Sequence, residues 1–105
     1  NILNPFTPYG DGNLMRMANL FANVAQLSRD ADLAAAFAMV SADAARMIGR
    51  RYGIAVGAPA DLVLFDATSP ADSVRRVAAS LRGWKSGRPS FERPVARLLQ
   101  AQSSQ

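Results

Sequence analysis

The stretch Tyr52-Gly-Ile-Ala-Val-Gly-Ala-Pro-Ala-Asp-Leu-Val-Leu-Phe-Asp66 decides the fold of this chain. Gly53 and Gly57 bracket a short apolar segment, and Pro59 precedes a continuous apolar run. A continuous apolar run bounded by turn residues is typical of a strand that is buried on both faces. The stretch therefore predicts a turn that bends at the two glycines, followed by a buried strand over about residues 61–66. This strand would return the chain from an outlying segment to a larger folded part of the protein.

The composition limits what the chain can do. Its 105 residues suffice for about one small domain. Half of the residues are hydrophobic and 19% are charged, which indicates a globular protein. The sequence contains no Cys and no His, so it offers no disulfide, no thiolate metal site and almost no ligands for the usual metal or nucleophile sites. The lack of Cys fits a reducing compartment, and we expect a cytoplasmic protein.

No membrane association is predicted. No stretch approaches the roughly 20 apolar residues that a membrane-spanning helix needs. The first ten residues also lack the basic and apolar regions of a signal peptide. Their density of Pro and Asn resembles an active-site loop that leaves a strand.

The net charge of +4 could suggest a nucleic-acid binder. It arises from 12 Lys and Arg residues against 8 Asp and Glu residues, and the basic residues become more frequent over 75–97. Nucleic-acid binding would need this cluster on one face with stacking aromatic residues between. Only Trp84 and Phe91 occur there, without a recognition motif. A solvated arginine-rich surface is the favoured interpretation, and no nucleic-acid partner is expected.

Residues 13–27 have the pattern of a helix with an unusual distribution of apolar residues. Arg16, Asn19, Asn23 and Gln26 share one stripe, and nearly every other position is apolar. A helix that is apolar over most of its circumference is buried on several sides. Because a 105-residue domain has little mass with which to bury it, this helix predicts a larger partner.

Capping and turn residues predict the remaining elements. Ser41 and Gly49 would begin and end one helix, Ser69 with Pro70 would begin another, and a tight turn containing Gly87 would join two strands. From Pro94 we expect one more helix before a polar tail. The predicted helices therefore span about 13–27, 31–39, 42–48 and 70–77, and the predicted strands about 61–66, 79–84 and 89–92.

Three segments carry motifs of one known family. Residues 1–13 are similar to a loop with the pattern D-N-x-x-x-P-[W/F]-x-P-x-G-x-[G/A], whose first Asp would fall just before Asn1. Residues 41–49 are similar to T-x-x-x-A-R-x-L-G, with Ser41 in place of the Thr and Ile48 in place of the Leu. Residues 52–66 match Y-G-I-x-x-G-x-x-A-D-L-V-x-x-D. Together they resemble the C-terminal part of a metal-dependent amidohydrolase of the cytosine deaminase-like branch. The resemblance extends over about residues 1–92.

The resemblance implies an α/β fold. The chain would be the C-terminal portion of a (β/α)8 hydrolase barrel together with strands of an accessory β-sandwich. Residues 1–50 would form the last barrel loop and the C-terminal helices, 51–93 the sandwich strands, and 94–105 a tail. The partner would be the upstream barrel portion of the same enzyme, against which the apolar helix 13–27 would pack. This branch also often forms homo-oligomers.

The resemblance also implies an activity, the hydrolysis of an amino or amide group on a small N-heterocycle. The family uses one divalent metal, zinc or iron, to activate the attacking water. Its ligands and the catalytic Asp, expected just before Asn1, would lie upstream, so no catalytic or metal-binding residue is assigned within this chain.

Two residues of this chain correspond to substrate-binding positions of the family. Asn1 follows the position of the catalytic Asp. Phe6 takes the position of an aromatic residue, most often Trp, that covers the substrate ring. Phe keeps a stacking face but lacks the indole N–H. This difference leaves a triazine, a creatinine-like compound or another cyclic amidine as suitable as cytosine.

Other functions stay open at this point. The chain could be a non-catalytic protein-interaction module that binds through its apolar helix, or a subunit of a split enzyme. A basic nucleic-acid binder would show an affinity that falls steeply with salt. The isolated 105-residue chain is expected to have no hydrolytic activity.

Overall fold

A computed structural model describes residues 11–99 of the chain as four helices and three strands. The strands form one antiparallel sheet in the order β1-β2-β3. Every helix and strand predicted within residues 11–93 is present, with shifts at the ends. The elements are α1 (Leu14–Val24), α2 (Asp30–Met39), α3 (Ala42–Met47), β1 (Leu62–Phe65), α4 (Pro70–Arg76), β2 (Ser80–Lys85) and β3 (Arg88–Glu92).

The hydrophobic core lies between α1, α2 and α4. Val74 of α4 is completely buried at its centre. The sheet joins this core through Phe65 of β1, whose ring meets Phe37 of α2 edge to face with 6.3 Å between the ring centroids. The other buried members of the cluster are Met15, Ala18, Ala22, Leu33 and Ala71.

Local capping chemistry sets several element ends as expected. The Ser69 hydroxyl accepts a hydrogen bond from the Asp72 backbone N–H at 3.0 Å, and Pro70 is the first residue of α4. The β2–β3 turn places Ser86 and Gly87 at φ 51° and 78°, the left-handed pair that tight hairpins require. The predicted cap and hairpin are confirmed.

Two helix predictions were wrong, because one helix is shorter than predicted and the other is absent over the described residues. Helix α1 ends at Val24 instead of continuing to residue 27, because Gln26 takes a left-handed conformation and the Leu27 N–H bonds the Ala22 carbonyl. The helix expected from Pro94 is absent over 94–99. Leu98 and Leu99 are more than 90% exposed there, and a short helix without packing is marginal in water.

Ser41 does not cap α3 as expected. It occupies the position before the helix, but its hydroxyl donates to the Phe37 carbonyl of α2 at 2.8 Å. Because only two residues separate α2 from α3, the last carbonyls of α2 lie within reach of this hydroxyl and take it.

Much of the apolar surface that the sequence predicted to be buried is exposed. On α1, five large apolar side chains are exposed. On β1, Val63 and Leu64 are 46% and 52% exposed, so the expected burial of this strand on both faces is not found within residues 11–99. The described part of the chain buries only one side of α1. The exposed side chains of α1 are Leu14, Met17, Leu20, Phe21 and Val24.

No helix within residues 11–99 combines the length and the apolar character needed to span a bilayer.

Candidate functional site

The two predicted substrate-binding residues, Asn1 and Phe6, lie outside the described residues. The structure does describe the point where their loop joins α1. The Asp11 carboxylate accepts the Asn13 backbone N–H at 2.9 Å and pairs with Arg16 at 3.5 Å, while the Asn13 side chain accepts the Met15 N–H at 3.0 Å. The Asn13 N–H, followed by the positive charge of Arg16, lowers the pKa of Asp11. These contacts order the chain between the predicted loop and the first helix.

A groove of about 1040 Å³ opens between the helices and the sheet. Its walls are mainly apolar, with Phe37 and Val40 on the α2 side and Phe65, Val77 and Phe91 on the other. Such a surface favours packing against apolar groups over proton transfer. The charged residues that line it are Asp11, Asp61 and Arg93.

Asp61 lies at the edge of this groove, and its carboxylate binds the β2–β3 hairpin. Its carboxylate accepts the Ser86 backbone N–H at 2.8 Å and the Lys85 ammonium at 3.1 Å. The Ser86 N–H, and then Lys85, lower the pKa of Asp61. A carboxylate held in its ionised form by these donors is a weak general base, and its role is to anchor the β2–β3 turn beside β1.

Asp72 forms the most extensive polar contacts among the described carboxylates, and they are also local. It accepts two hydrogen bonds from the Arg76 guanidinium, at 2.9 and 2.8 Å, and one from the Thr68 backbone N–H at 3.0 Å. The Arg76 hydrogen bonds are the main cause of the strongly lowered pKa of Asp72. Arg76 also donates to the Asp66 carbonyl at 2.6 Å, so this group connects the end of β1 to α4.

Residues 11–99 do not form a site for zinc or iron. The sequence has neither His nor Cys. Within residues 11–99, no three acidic side chains come close enough together to hold a metal ion. A smaller pocket of about 390 Å³ lies at the C-terminal end of α3. Its lining includes Arg46, Arg50, Arg51 and Tyr52.

Sequence reasoning did not predict the contacts by which two polar residues connect the helices. The Asn19 side chain on α1 donates to the Val74 carbonyl of α4 at 2.8 Å. Arg75 donates to the Asp30 carboxylate at 2.5 Å and to the Ser28 carbonyl at 3.3 Å, which ties α4 to the start of α2. No local pattern identifies these contacts, because the partners lie 45 to 55 positions away.

Comparison with known proteins identifies the family of this chain. The model of the amidohydrolase family matches residues 1–91, and the chain belongs to this family. The resemblance stated above, to the C-terminal part of an amidohydrolase of the cytosine deaminase-like branch, is confirmed.

The chain is also similar to individual proteins of known activity or structure. An N-isopropylammelide isopropyl amidohydrolase from Pseudomonas sp. (strain ADP) is 32% identical over 90 residues, which are 84% of this chain and 22% of that protein. Two crystal structures of 5-methylcytosine deaminase from Klebsiella pneumoniae, liganded with phosphonocytosine and with 5-fluorocytosine, match 95% of this chain at 29% identity. Their TM-scores are 0.83 and 0.85, and the chain covers 25% of each.

Proposed function

We propose that this chain is the C-terminal part of a metal-dependent amidohydrolase that hydrolyses an amino or amide group on a small N-heterocycle. The observation that carries the proposal is the similarity to 5-methylcytosine deaminase, which extends over 95% of the chain at a TM-score of 0.83. The substrate would be cytosine-like or another cyclic amidine. Two relatives whose names give different substrates are both consistent with this broader class.

The rest of such an enzyme would supply the catalytic centre. Because the chain spans only 22% and 25% of the relatives, most of their length has no counterpart in it. We place the barrel, the metal ligands and the catalytic Asp in that remainder, where zinc or iron would activate the attacking water. Within this chain, residues 1–50 would complete the barrel, 51–93 would form strands of the accessory sandwich, and 94–105 would be a tail.

The contribution of this chain to binding would come from its first residues. Asn1 would lie beside the reacting group, and Phe6 would stack on the heterocycle. Aromatic stacking contributes about 0.5–1.5 kcal/mol, so a Phe6→Ala substitution in the complete enzyme should raise KM about 2- to 10-fold. Phe6→Trp, which keeps a stacking face, is the matched control and should stay near the unmodified KM. Equal effects of both substitutions would argue against stacking.

The exposed apolar side of α1 supports a large partner. Five of its side chains meet solvent in the described structure, although a helix of this composition is normally covered. The barrel of the same enzyme is the partner we propose, in a cytoplasmic protein that forms homo-oligomers.

The deciding experiment compares two samples. The complete polypeptide should carry stoichiometric zinc or iron and hydrolyse at least one compound in a panel of cytosine, 5-methylcytosine, triazines and creatinine, with release of ammonia or an alkylamine or with opening of the ring. The 105-residue chain alone should hydrolyse none. A metal-loaded complete protein that is inactive on every compound, or turnover by the isolated chain, would contradict the proposal.

The alternative is a non-catalytic interaction module or the subunit of a split enzyme. The exposed side of α1 also favours this function, because it offers an apolar surface to a separate protein. Native mass spectrometry separates the cases. A larger, separately encoded polypeptide with bound metal would indicate a split enzyme. A metal-free chain that binds an unrelated protein would indicate an interaction module.

A further inference from the structure

A small pocket at the C-terminal end of α3 collects positive charge. Its volume is about 390 Å³, and its lining includes Arg46, Arg50 and Arg51. No acidic residue within 11–99 lines this arginine pocket. Tyr52 adds an aromatic ring with a hydroxyl group, and the other described lining residues are three alanines, whose small side chains leave the space open. Guanidinium groups that converge repel each other, and an anion between them would relieve the repulsion.

Backbone hydrogen bonds fix the chain at this end of α3. The Gly49 N–H donates to the Arg46 carbonyl at 3.1 Å, and the Arg50 N–H donates to the Ala45 carbonyl at 2.9 Å. Because Gly49 takes the left-handed conformation at φ 72°, these two bonds form the Schellman motif that closes many helices. The motif turns the chain directly after the helix, which leaves Arg50 and Arg51 beside Arg46. The backbone that carries the three arginines is therefore set by local hydrogen bonds.

The same hydrogen bonds argue against a capping role for these arginines. An arginine near the end of a helix can bind the last carbonyl groups. Here the Ala45 and Arg46 carbonyls already accept backbone N–H groups. Arg46 pairs with Asp43 at 2.5 Å, whereas neither Arg50 nor Arg51 forms an ion pair within residues 11–99. Two guanidinium groups therefore keep their donors for a ligand.

The carboxylate of Asp61, on which the charge of Arg50 acts, is engaged elsewhere. The pKa of Asp61 is lowered first by the Ser86 N–H and by Lys85, and the charge of Arg50 adds a smaller effect. One Asp61 oxygen accepts the Ser86 N–H at 2.8 Å, and the other accepts the Lys85 ammonium at 3.1 Å. Residues 11–99 therefore contribute no carboxylate to the lining of the arginine pocket.

We propose that the arginine pocket binds a phosphate group, either as free inorganic phosphate or as part of a small monoester such as a nucleoside monophosphate. A guanidinium presents two parallel N–H donors that match two phosphate oxygens. The pocket has room for more than a phosphate ion, and the half-exposed ring of Tyr52 offers a stacking face to a group attached to it. The site does not depend on the proposed hydrolytic activity, because the pocket lies outside the predicted substrate loop at residues 1–13.

Calorimetric titration of the complete polypeptide with inorganic phosphate, at constant ionic strength, tests this site. Arg51→Gln should raise the Kd for phosphate about 10- to 100-fold, because it removes charge-assisted hydrogen bonds. Arg51→Lys keeps the charge without the paired donors and should restore only part of the affinity. Arg88→Gln removes the same charge from an exposed position on β3 and is the control, with a change in Kd below about 2-fold. Because Arg51 and Arg88 are exposed, none of these substitutions should change the unfolding temperature without phosphate.

Saturable binding that Arg51→Gln weakens and Arg88→Gln preserves would support the proposal. No saturation up to about 10 mM phosphate would overturn it, as would happen if another part of the polypeptide filled the pocket. Equal weakening by both substitutions would also overturn it, because net charge would then be the cause. A parallel titration with a nucleoside monophosphate distinguishes the two sources of the phosphate group. Tighter binding than that of inorganic phosphate would assign the site to monoesters, and equal binding would assign it to free phosphate.

Discussion

Gly83 in the middle of β2 allows a sharp test of how the sheet is packed. It pairs with Phe91 of β3, and the Phe91 ring lies over the space where a side chain would begin. A Cβ at Gly83 would lie 2.7 Å from Cδ1 of Phe91, 3.1 Å from Cζ, and closer still to Cε1. Since the φ of Gly83 is not positive, alanine itself fits the backbone there. The effect of Gly83→Ala therefore comes from the ring of Phe91.

The structure sets the expected magnitude. Phe91 is 42% exposed, so somewhat more than half of the residue is covered. Full burial of a Phe side chain contributes about 1.5–3 kcal/mol, so displacing this ring should cost about 1–1.5 kcal/mol. If the ring stays in place and leaves its preferred rotamer instead, the cost is about 0.5–1.5 kcal/mol, which is similar to the cost of displacing it. Alanine regains about 0.5 kcal/mol because it is less flexible than glycine in the unfolded chain. The net loss of stability for Gly83→Ala should be about 0.5–1 kcal/mol.

A double-mutant cycle isolates the contact. In a Phe91→Ala background the collision no longer exists, so Gly83→Ala should be neutral or slightly stabilising. The interaction energy between the two sites should then be about 1–1.5 kcal/mol. Urea denaturation of the 105-residue chain measures it, with Trp84 fluorescence as the probe, because Trp84 is the only tryptophan and adjoins Gly83. Ser90→Ala on the exposed side of β3 is the control and should change stability by less than about 0.5 kcal/mol. If the two substitutions were additive within about 0.3–0.5 kcal/mol, the packing of Phe91 over Gly83 would be disproved.

Three further predictions concern α4. Ser69→Ala should lower the free energy of unfolding by about 1 kcal/mol in urea denaturation, because the Asp72 N–H loses the hydroxyl that caps it. A change as small as that of Ser90→Ala would show that the cap is unimportant. Val74→Ala should lower the free energy of unfolding by about 2 kcal/mol in the same assay, because it removes two carbons from a fully buried site and leaves a cavity. An effect below about 0.5 kcal/mol would mean that α4 does not pack as described. The third prediction concerns the contribution of Asp72 to the free energy of unfolding. This contribution should be complete above the pKa of about 3.9 that Asp72 has in the unfolded chain. It should decline as the pH falls towards the lower pKa of Asp72 in the folded chain. Stability measured between about pH 6 and pH 2 should therefore fall less for Asp72→Asn than for the unmodified chain, and equal slopes would contradict this.

Local sequence signals predicted the elements well because the groups that set them are close along the chain. The Ser69 hydroxyl and the Asp72 N–H are three residues apart, and Ser86 and Gly87 form their turn between adjacent strands. The errors arose where distant or competing contacts decide the outcome. The Ser41 hydroxyl had a second acceptor in the Phe37 carbonyl, and the segment after Pro94 found no surface on which to pack.

The candidate site was predicted mainly from motifs. The family motifs placed Asn1 and Phe6 in a substrate loop, and these assignments stay predictions. Asp61 and Asp66 lie at the ends of the predicted strand 61–66 and make structural contacts there, the Asp61 carboxylate with Ser86 and the Asp66 carbonyl with Arg76. Which groups face the groove could not be read from spacing, because its walls come from α2, the sheet and the linker before β1.

The sequence by itself determined the family, the order of the elements and most of their ends, since these depend on motifs and on hydrogen bonds between near neighbours. Only the tertiary structure decided which side of each element is covered. Asn19 was placed on a polar stripe, yet it contacts the Val74 carbonyl, while the apolar Leu20 and Phe21 beside it are exposed. Periodicity shows that a helix has distinct sides. Which side is buried depends on partners that lie far away in the chain, or in the remainder of the enzyme that we propose.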